Sequence, residues 1–283
     1  MLPALFVLLW STGFIGARLG MPHAEPMTFL ALRFALTAVV LALAALATRA
    51  PWPGRAADLG HLAVAGVLMH GVYLGGVFVA IRLGLEAGLS ALIVSLQPLL
   101  VAAAAGLFLG ERVPARAWLG LALGLAGVTL ILARKLGGGP GGSFWGVLAC
   151  LAALVGITVG TLYQKRFCTG HDLRTGNLVQ FVAATAFCSA LALRFETMRV
   201  DWTPGLLFAL FWLVVVLSLG AISLLYLLLR RGAASRVASL FFLTPPTTAL
   251  IAWPLFDERL GLVELSGMAV AVLGVALVNR AGR

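Results

Sequence analysis

Leu96-Gln97-Pro98, followed by Gly110-Glu111-Arg112, Gly120 and Gly127, recurs 147 residues later as Leu243-Thr244-Pro245, followed by Asp257-Glu258-Arg259, Gly267 and Gly274. The register also holds upstream, where Arg18, Thr28 and Phe34 answer to Lys165, Thr175 and Phe181. Almost everything between these markers is apolar, which is the pattern of a duplicated membrane chain. A half with an odd number of spans inserts its second copy upside down, and inverted repeats of that kind are the architecture of secondary transporters.

Composition points the same way. Hydrophobic residues make up 61% of the 283 and charged residues 11%, with a mean hydropathy of +1.06. Soluble domains run at about 45–50% apolar, so there is too little polar surface here to cover a globule. The formal net charge of +10 could suggest nucleic acid. The Lys and Arg residues sit at span ends, however, where they meet cytoplasm and anionic headgroups. No basic stripe interleaved with aromatics is present. Cys150, Cys168 and Cys188 have neither Cys-x-x-Cys nor Cys/His spacing, so they read as small buried hydrophobes, with no metal and no cofactor expected. The opening Met1-Leu2-Pro3-Ala4 lacks a basic n-region and runs into a long apolar stretch, which reads as a first span and not a cleaved signal.

The fold expected is an all-α polytopic membrane protein: ten transmembrane helices forming two inverted five-helix repeats around a central cavity. A span takes roughly 20 residues. Charges, Pro and Gly divide the chain into ten segments, at 3–20, 27–48, 59–82, 87–109, 115–134, 144–165, 175–194, 205–229, 234–256 and 261–279. The first repeat is expected over 1–136, a Gly-rich linker over 137–143, and the second repeat over 144–283. The linker carries Gly137-Gly138-Gly139-Pro140-Gly141-Gly142, a flexible composition.

With the N-terminus in the cytoplasm, the inner side carries Arg49, Arg55, Arg112, Arg116, Lys165, Arg166, Arg174, Arg230, Arg231, Arg236, Arg280 and Arg283. The outer side carries Arg18, Arg82, Arg134, Lys135, Arg194, Arg199 and Arg259. That excess favours both termini inside, in a bacterial inner (plasma) membrane. Trp52, Trp118, Trp145, Trp202 and Trp253 fall near segment ends, where indoles lie among headgroups.

Small residues recur four apart at Gly71/Gly75, Gly120/Gly124 and Gly267/Ala271. Such pairs let helix backbones approach closely. Gln97-Pro98 and Thr244-Pro245-Pro246 are more informative. A proline within a span removes a backbone hydrogen bond and kinks the helix, and paired breaks in matching positions of inverted halves point to the central site. Pro98, Thr244, Pro245 and Pro246 are therefore kink or gating candidates, the alternative being static kinks that let the bundle close.

Polar and aromatic side chains at depth are expensive and face the bundle interior or a cavity. The candidates for a substrate cavity are Trp10 and Ser11 in span one, His70 and Tyr73 on one face of span three, and Ser90 and Gln97 on one face of span four. Tyr163 and Gln164 near the end of span six and Tyr226 near the end of span eight complete the set. Interhelical hydrogen bonding or core packing is the competing role for each. Aromatic walls with neutral donors and acceptors suit a zwitterionic or aromatic metabolite. Arg33, whose repeat counterpart is Gln180, lies about 9 Å into span two at 1.5 Å per residue. That depth is within reach of the interface, so Arg33 is expected to snorkel outward and pair with Glu25 or Glu86. The other use for it is a carboxylate on a substrate. An intramembrane enzyme would need a nucleophile and base at depth. His70 has no such partner in its span, so no enzymatic activity is expected.

Trp10-Ser11-Thr12-Gly13-Phe14 with Leu32-Arg33-Phe34 resembles the opening of the EamA family of the drug/metabolite transporter superfamily. Ser90-Ala91-Leu92, Gln97-Pro98, Gly110-Glu111-Arg112, Leu119-Gly120 and Gly127-Val128 are similar to that family's most recognisable stretch, and Pro245 through Glu258-Arg259 to Gly274 resembles it again. The resemblance spans essentially the whole chain. It implies a ten-helix bundle of two inverted repeats around a substrate cavity, exporting small metabolites by alternating access. Within the family the chain is most similar to YddG-type exporters, which implies amino acids, aromatic ones among them, as substrates. A multidrug or other metabolite exporter and a channel-like uniporter are the alternatives. The second copy departs from the first by carrying Asp257 for Gly110 and Thr244 for Gln97. Partners expected are the small-molecule substrate and the lipid bilayer, with no nucleic acid.

Overall fold

The computed structural model describes residues 2–98, 144–168, 170–221 and 240–257, with isolated positions between and after them. The described elements are all helical: α1 (Leu2–Gly20), α2 (Pro26–Ala47), α3 (Ala56–Gly66) and α4 (Tyr73–Arg82), α5 (Ala87–Val94), α6 (Phe144–Phe167), α7 (Leu173–Phe195), α8 (Pro204–Phe211) and α9 (Thr244–Phe256). A π-helical turn, Val67–Val72, joins α3 to α4. A second π segment, Trp212–Ala221, continues α8. Among the described residues the one β-bridge is antiparallel, between Ala24 and Val200.

Among the described residues six segments are long and apolar enough to cross a membrane: Leu2–Gly20, Pro26–Ala47, Ala56–Arg82, Phe144–Gln164, Leu173–Phe195 and Pro204–Ala221. They coincide with six of the ten expected spans. The other four, at 87–109, 115–134, 234–256 and 261–279, lie wholly or partly outside the described residues. The spans carry apolar side chains all round, as lipid-facing helices must. On α2, Phe29, Leu30 and Phe34 are buried while Leu36, Leu43 and Leu46 are exposed.

Local chemistry sets the boundaries. Proline at the first helical position needs no N–H and opens both α2 and α8. The Thr203 hydroxyl accepts from Leu206 N at 3.2 Å to cap α8, and Asp172 accepts from Arg174 N at 2.9 Å to cap α7. Glu25 holds the cap position of α2, which is the repeat equivalent of Asp172. Interruptions also fall in register. α5 ends at Val94, and its helix resumes at Gln97-Pro98. In the second copy the 3₁₀ turn Phe241–Leu243 precedes a fresh helix at Thr244-Pro245-Pro246. Pro98 cannot donate to the carbonyl of Val94 and its ring would crowd that oxygen, so the helix ends there.

α2 and α7 pack against each other along their length and run antiparallel. The start of α2 meets the end of α7, where the Glu196 carboxylate accepts from Met27 N (2.8 Å), Thr28 N (2.7 Å) and Thr28 Oγ1 (2.8 Å). At the opposite end the Thr175 hydroxyl, opening α7, donates to Pro51 O beyond α2 at 2.7 Å. α3 and its π turn lie on α7, and α4 lies on α6. Close approach here depends on absent side chains. A Cβ on Gly66 would sit 2.4 Å from Gln180 O, and one on Gly76 would sit 2.5 Å from Ala149 O. Of the expected small-residue pairs, Gly71 abuts the Phe187 ring and Gly75 the end of Met27. Gly120/Gly124 and Gly267/Ala271 lie outside the described residues.

Gly66→Ala is expected to destabilise the protein by about 1–3 kcal/mol, because backbone cannot yield as a side chain can. Gly60→Ala, which meets open space, should be neutral or slightly stabilising through helix propensity. Thermal unfolding of the two variants in detergent checks the contrast.

Candidate functional site

Between α1, α2, α6, α7 and the two π-interrupted spans lies a cavity. Its volume is about 100 Å³ as swept by the centre of a water molecule. Trp10, Gly13 and Phe14 of α1 form one wall, and His70, Tyr73 and Leu74 a second. Gln180 and Phe181 of α7 adjoin His70, with Arg33 of α2 and Leu217 of the second π segment completing the chamber.

Repeat-equivalent residues share its lining. Trp10 and Ile157, Arg33 and Gln180, and His70 and Leu217 all line the cavity, and each pair is separated by the repeat interval. The two π segments also correspond in register. A π turn spreads the backbone and turns the side chains that follow away from their α-helical direction. The first aims Met69 and His70 inward, and the second does so for Leu217. The Ser218 hydroxyl closes on the Leu213 carbonyl, five residues back, at 3.0 Å.

Ring packing stiffens the walls. The His70 imidazole stacks on Phe181 at 4.3 Å and 16°, and Phe34 packs against both rings at 5.9 and 5.7 Å. Trp10 meets Phe241 edge-on at 5.1 Å, which ties α1 to the turn before α9. Behind the wall, Gln180 Nε2 donates to Gln164 Oε1 at 3.1 Å.

Among the residues expected from the sequence, Trp10, His70 and Tyr73 line the cavity. Gln164 does not, but it orients Gln180. Others join helices. The Ser11 hydroxyl donates to Val7 O at 2.7 Å and approaches Thr244 O at 3.4 Å, while Thr248 Oγ1 returns a 3.4 Å bond to Ser11 O. Gln97 Nε2 donates to Thr161 Oγ1 at 3.2 Å. Ser90 is fully buried, and its carbonyl receives the Cys150 thiol at 3.6 Å. Tyr163 shares a 2.7 Å hydrogen bond with His61 Nδ1 in a separate cluster with Phe167. Pro98, Thr244, Pro245 and Pro246 sit at the helix breaks and not in the chamber. Tyr226 lies outside the described residues.

Arg33 corrects the snorkelling expectation. It is 4% exposed, and its Nη2 donates to Ser218 Oγ at 3.3 Å. Ser218 lies roughly 20 Å along its span from Pro204 at 1.5 Å per residue, deeper than Arg33 itself. The guanidinium therefore reaches toward the membrane centre. Glu25, one expected partner, accepts instead from Thr197 N and Oγ1, both at 2.7 Å, and from Met198 N at 3.2 Å. Sequence reasoning also missed Phe14, Gln180, Phe181 and Leu217. The signal for Gln180 is the register itself, which makes it the repeat counterpart of Arg33. Among the described residues no cluster of His, Cys, Asp or Glu could hold a metal ion.

Apolar spans packed around such a chamber are the construction of a membrane transporter. The chain belongs to the EamA-like transporter family, matched over residues 1–133 and again over 144–280. It is 26% identical to the "Uncharacterized inner membrane transporter YedA" of Escherichia coli (strain K12), over 98% of this chain and 89% of that one. It is 25% identical to a "Probable amino-acid metabolite efflux pump" of Escherichia coli (strain K12), over 97% of this chain and 92% of the pump. A solved crystal structure superimposes with a TM-score of 0.66 over 98% of this chain and 94% of its own, at 24% identity. That likeness establishes the fold alone.

Gln164→Leu leaves the buried Gln180 amide without its acceptor and should cost about 1–3 kcal/mol. Replacing both glutamines with leucine should cost less than the two single changes together. Unfolding midpoints of the three variants test the coupling.

Proposed function

We propose that the chain exports amino acids, aromatic ones among them, or related small metabolites across a bacterial inner membrane by alternating access. The observation that carries this reading is the buried chamber in which aromatic walls surround Arg33, His70 and Gln180. Ten spans in two inverted halves, at 1–136 and 144–283 with both termini cytoplasmic, complete the picture. It is supported by the antiparallel course of α2 and α7 and by the separate family match of each half. A multidrug exporter fits less well. Among the described residues lining the chamber the one charged side chain is a cation, which repels cationic drugs.

Alternating access needs one end closed while the other opens. One end here is clasped reciprocally: Glu196 caps α2, Glu25 holds Thr197 and Met198, Asp201 N donates to His23 O at 2.8 Å, and Arg82 donates to Met21 O at 2.7 Å. In the proposed topology this is the outer end, and the clasp is its gate.

Proteoliposomes preloaded with radiolabelled phenylalanine or leucine should release it saturably, and Tyr73→Ala or Trp10→Ala should slow release severalfold. Release no faster than from empty vesicles, with and without an imposed pH gradient, would refute the amino-acid reading.

The hydrogen bond from Thr197 holds the Glu25 carboxyl below the usual carboxylate range. The closed clasp is thus favoured at neutral pH and lost as pH falls through and below that range. Glu25→Gln should mimic acidification at every pH. Its readout is severalfold faster labelling of Leu74→Cys by an impermeant thiol reagent, in a background lacking Cys150, Cys168 and Cys188.

A further inference from the structure

The chamber has a buried cation and, among the described residues that line it, no anion. Arg33 is 4% exposed. Its guanidinium makes a long 3.3 Å bond to Ser218, and its Nε finds no partner. A guanidinium presents five N–H donors in a rigid fork that matches a carboxylate. Burying one is costly unless it is paired. The Glu25 and Glu196 carboxylates are engaged elsewhere, Glu25 with Thr197 and Met198 and Glu196 with the start of α2. The Arg33 side chain itself lines the cavity.

The geometry points to Arg33 as the anchor for the carboxylate of a monoanionic organic acid whose apolar body lies against Trp10, Phe14 and Phe181, with no α-ammonium required. This names the substrate class of the chamber and rests on its being the transport site. The carboxylate would be read by charge-assisted hydrogen bonds from Arg33, the strongest contacts the wall can offer. An ammonium would meet only ring faces and the neutral polar groups of His70, Tyr73 and Gln180, because no lining residue described is acidic. Desamino acids should therefore bind about as well as amino acids. Analogues lacking the carboxylate would leave Arg33 buried without a counter-charge, and a site built around a polar group rejects ligands that lack it.

Calorimetric titration of the purified full-length protein separates the cases. The probes are L-phenylalanine and L-leucine, their desamino analogues 3-phenylpropionate and 4-methylpentanoate, and the carboxylate-free 2-phenylethylamine and L-phenylalaninamide. The four acids are expected to bind within a few-fold of one another, and the two carboxylate-free compounds at least about tenfold more weakly. Arg33→Gln should weaken the acids by about tenfold or more, while Arg33→Lys retains part of their affinity. Equal binding of 2-phenylethylamine or L-phenylalaninamide overturns the anchor, as does binding of none of the acids, or Arg33→Gln with wild-type affinity. Binding of the desamino acids without the amino acids upholds the anchor and refutes amino-acid export. The wild-type series needs no variant, so it decides the matter even if Arg33→Gln does not fold.

Discussion

Everything in the bundle is arranged around the antiparallel contact between α2 and α7. A membrane gives helices no hydrophobic reason to associate, because lipid is as apolar as they are; packing and satisfied polar groups must do it. Both are present along this seam. Phe34 and Phe181 interlock in its middle. The Glu196 carboxylate sits on the N-terminus of α2, where three donors and the helix dipole favour a negative charge. Thr175 binds the chain beyond the other end. With the seam fixed, the side chains of α2 and α7 that face away from it can be held open as cavity wall.

The cavity is chemically lopsided although its frame is symmetric. The first copy contributes Arg33, His70 and Tyr73, and the equivalent positions of the second are Gln180, Leu217 and Gly220. Glutamine at the position equivalent to Arg33 avoids a second buried charge. Gln180 is itself steadied from behind by Gln164. One half supplies most of the polar recognition and the other supplies shape.

Much of this was legible in the residues, and the failures share one cause. The repeat, six of the spans and the helix breaks at Pro98 and Thr244-Pro245 follow from spacing and backbone chemistry, which a sequence records directly. Which way a side chain faces does not follow when a helix is apolar on every side. Rise along the axis located Arg33 correctly but said nothing of its rotation, so a snorkelling arginine and a cavity arginine looked alike. Ser11, Ser90 and Gln97 read as cavity candidates, yet Ser11 and Gln97 bond to neighbouring helices and Ser90 lies within the core. Tyr163 pairs with His61 in a separate cluster. The π turns compound the problem: Val67–Val72 re-aims everything after it, and no residue pattern in Val-Leu-Met-His-Gly-Val announces one.

Those two π turns make the chamber wall a joint product of both repeats. They occupy corresponding positions in the two copies, and π turns inside helices are found mostly at functional sites. The first, from the first copy, lies against α6 and α7, and the second, from the second copy, lies against α1 and α2. Each copy therefore bends its own backbone into the chamber while the helices of the other hold that bend in place.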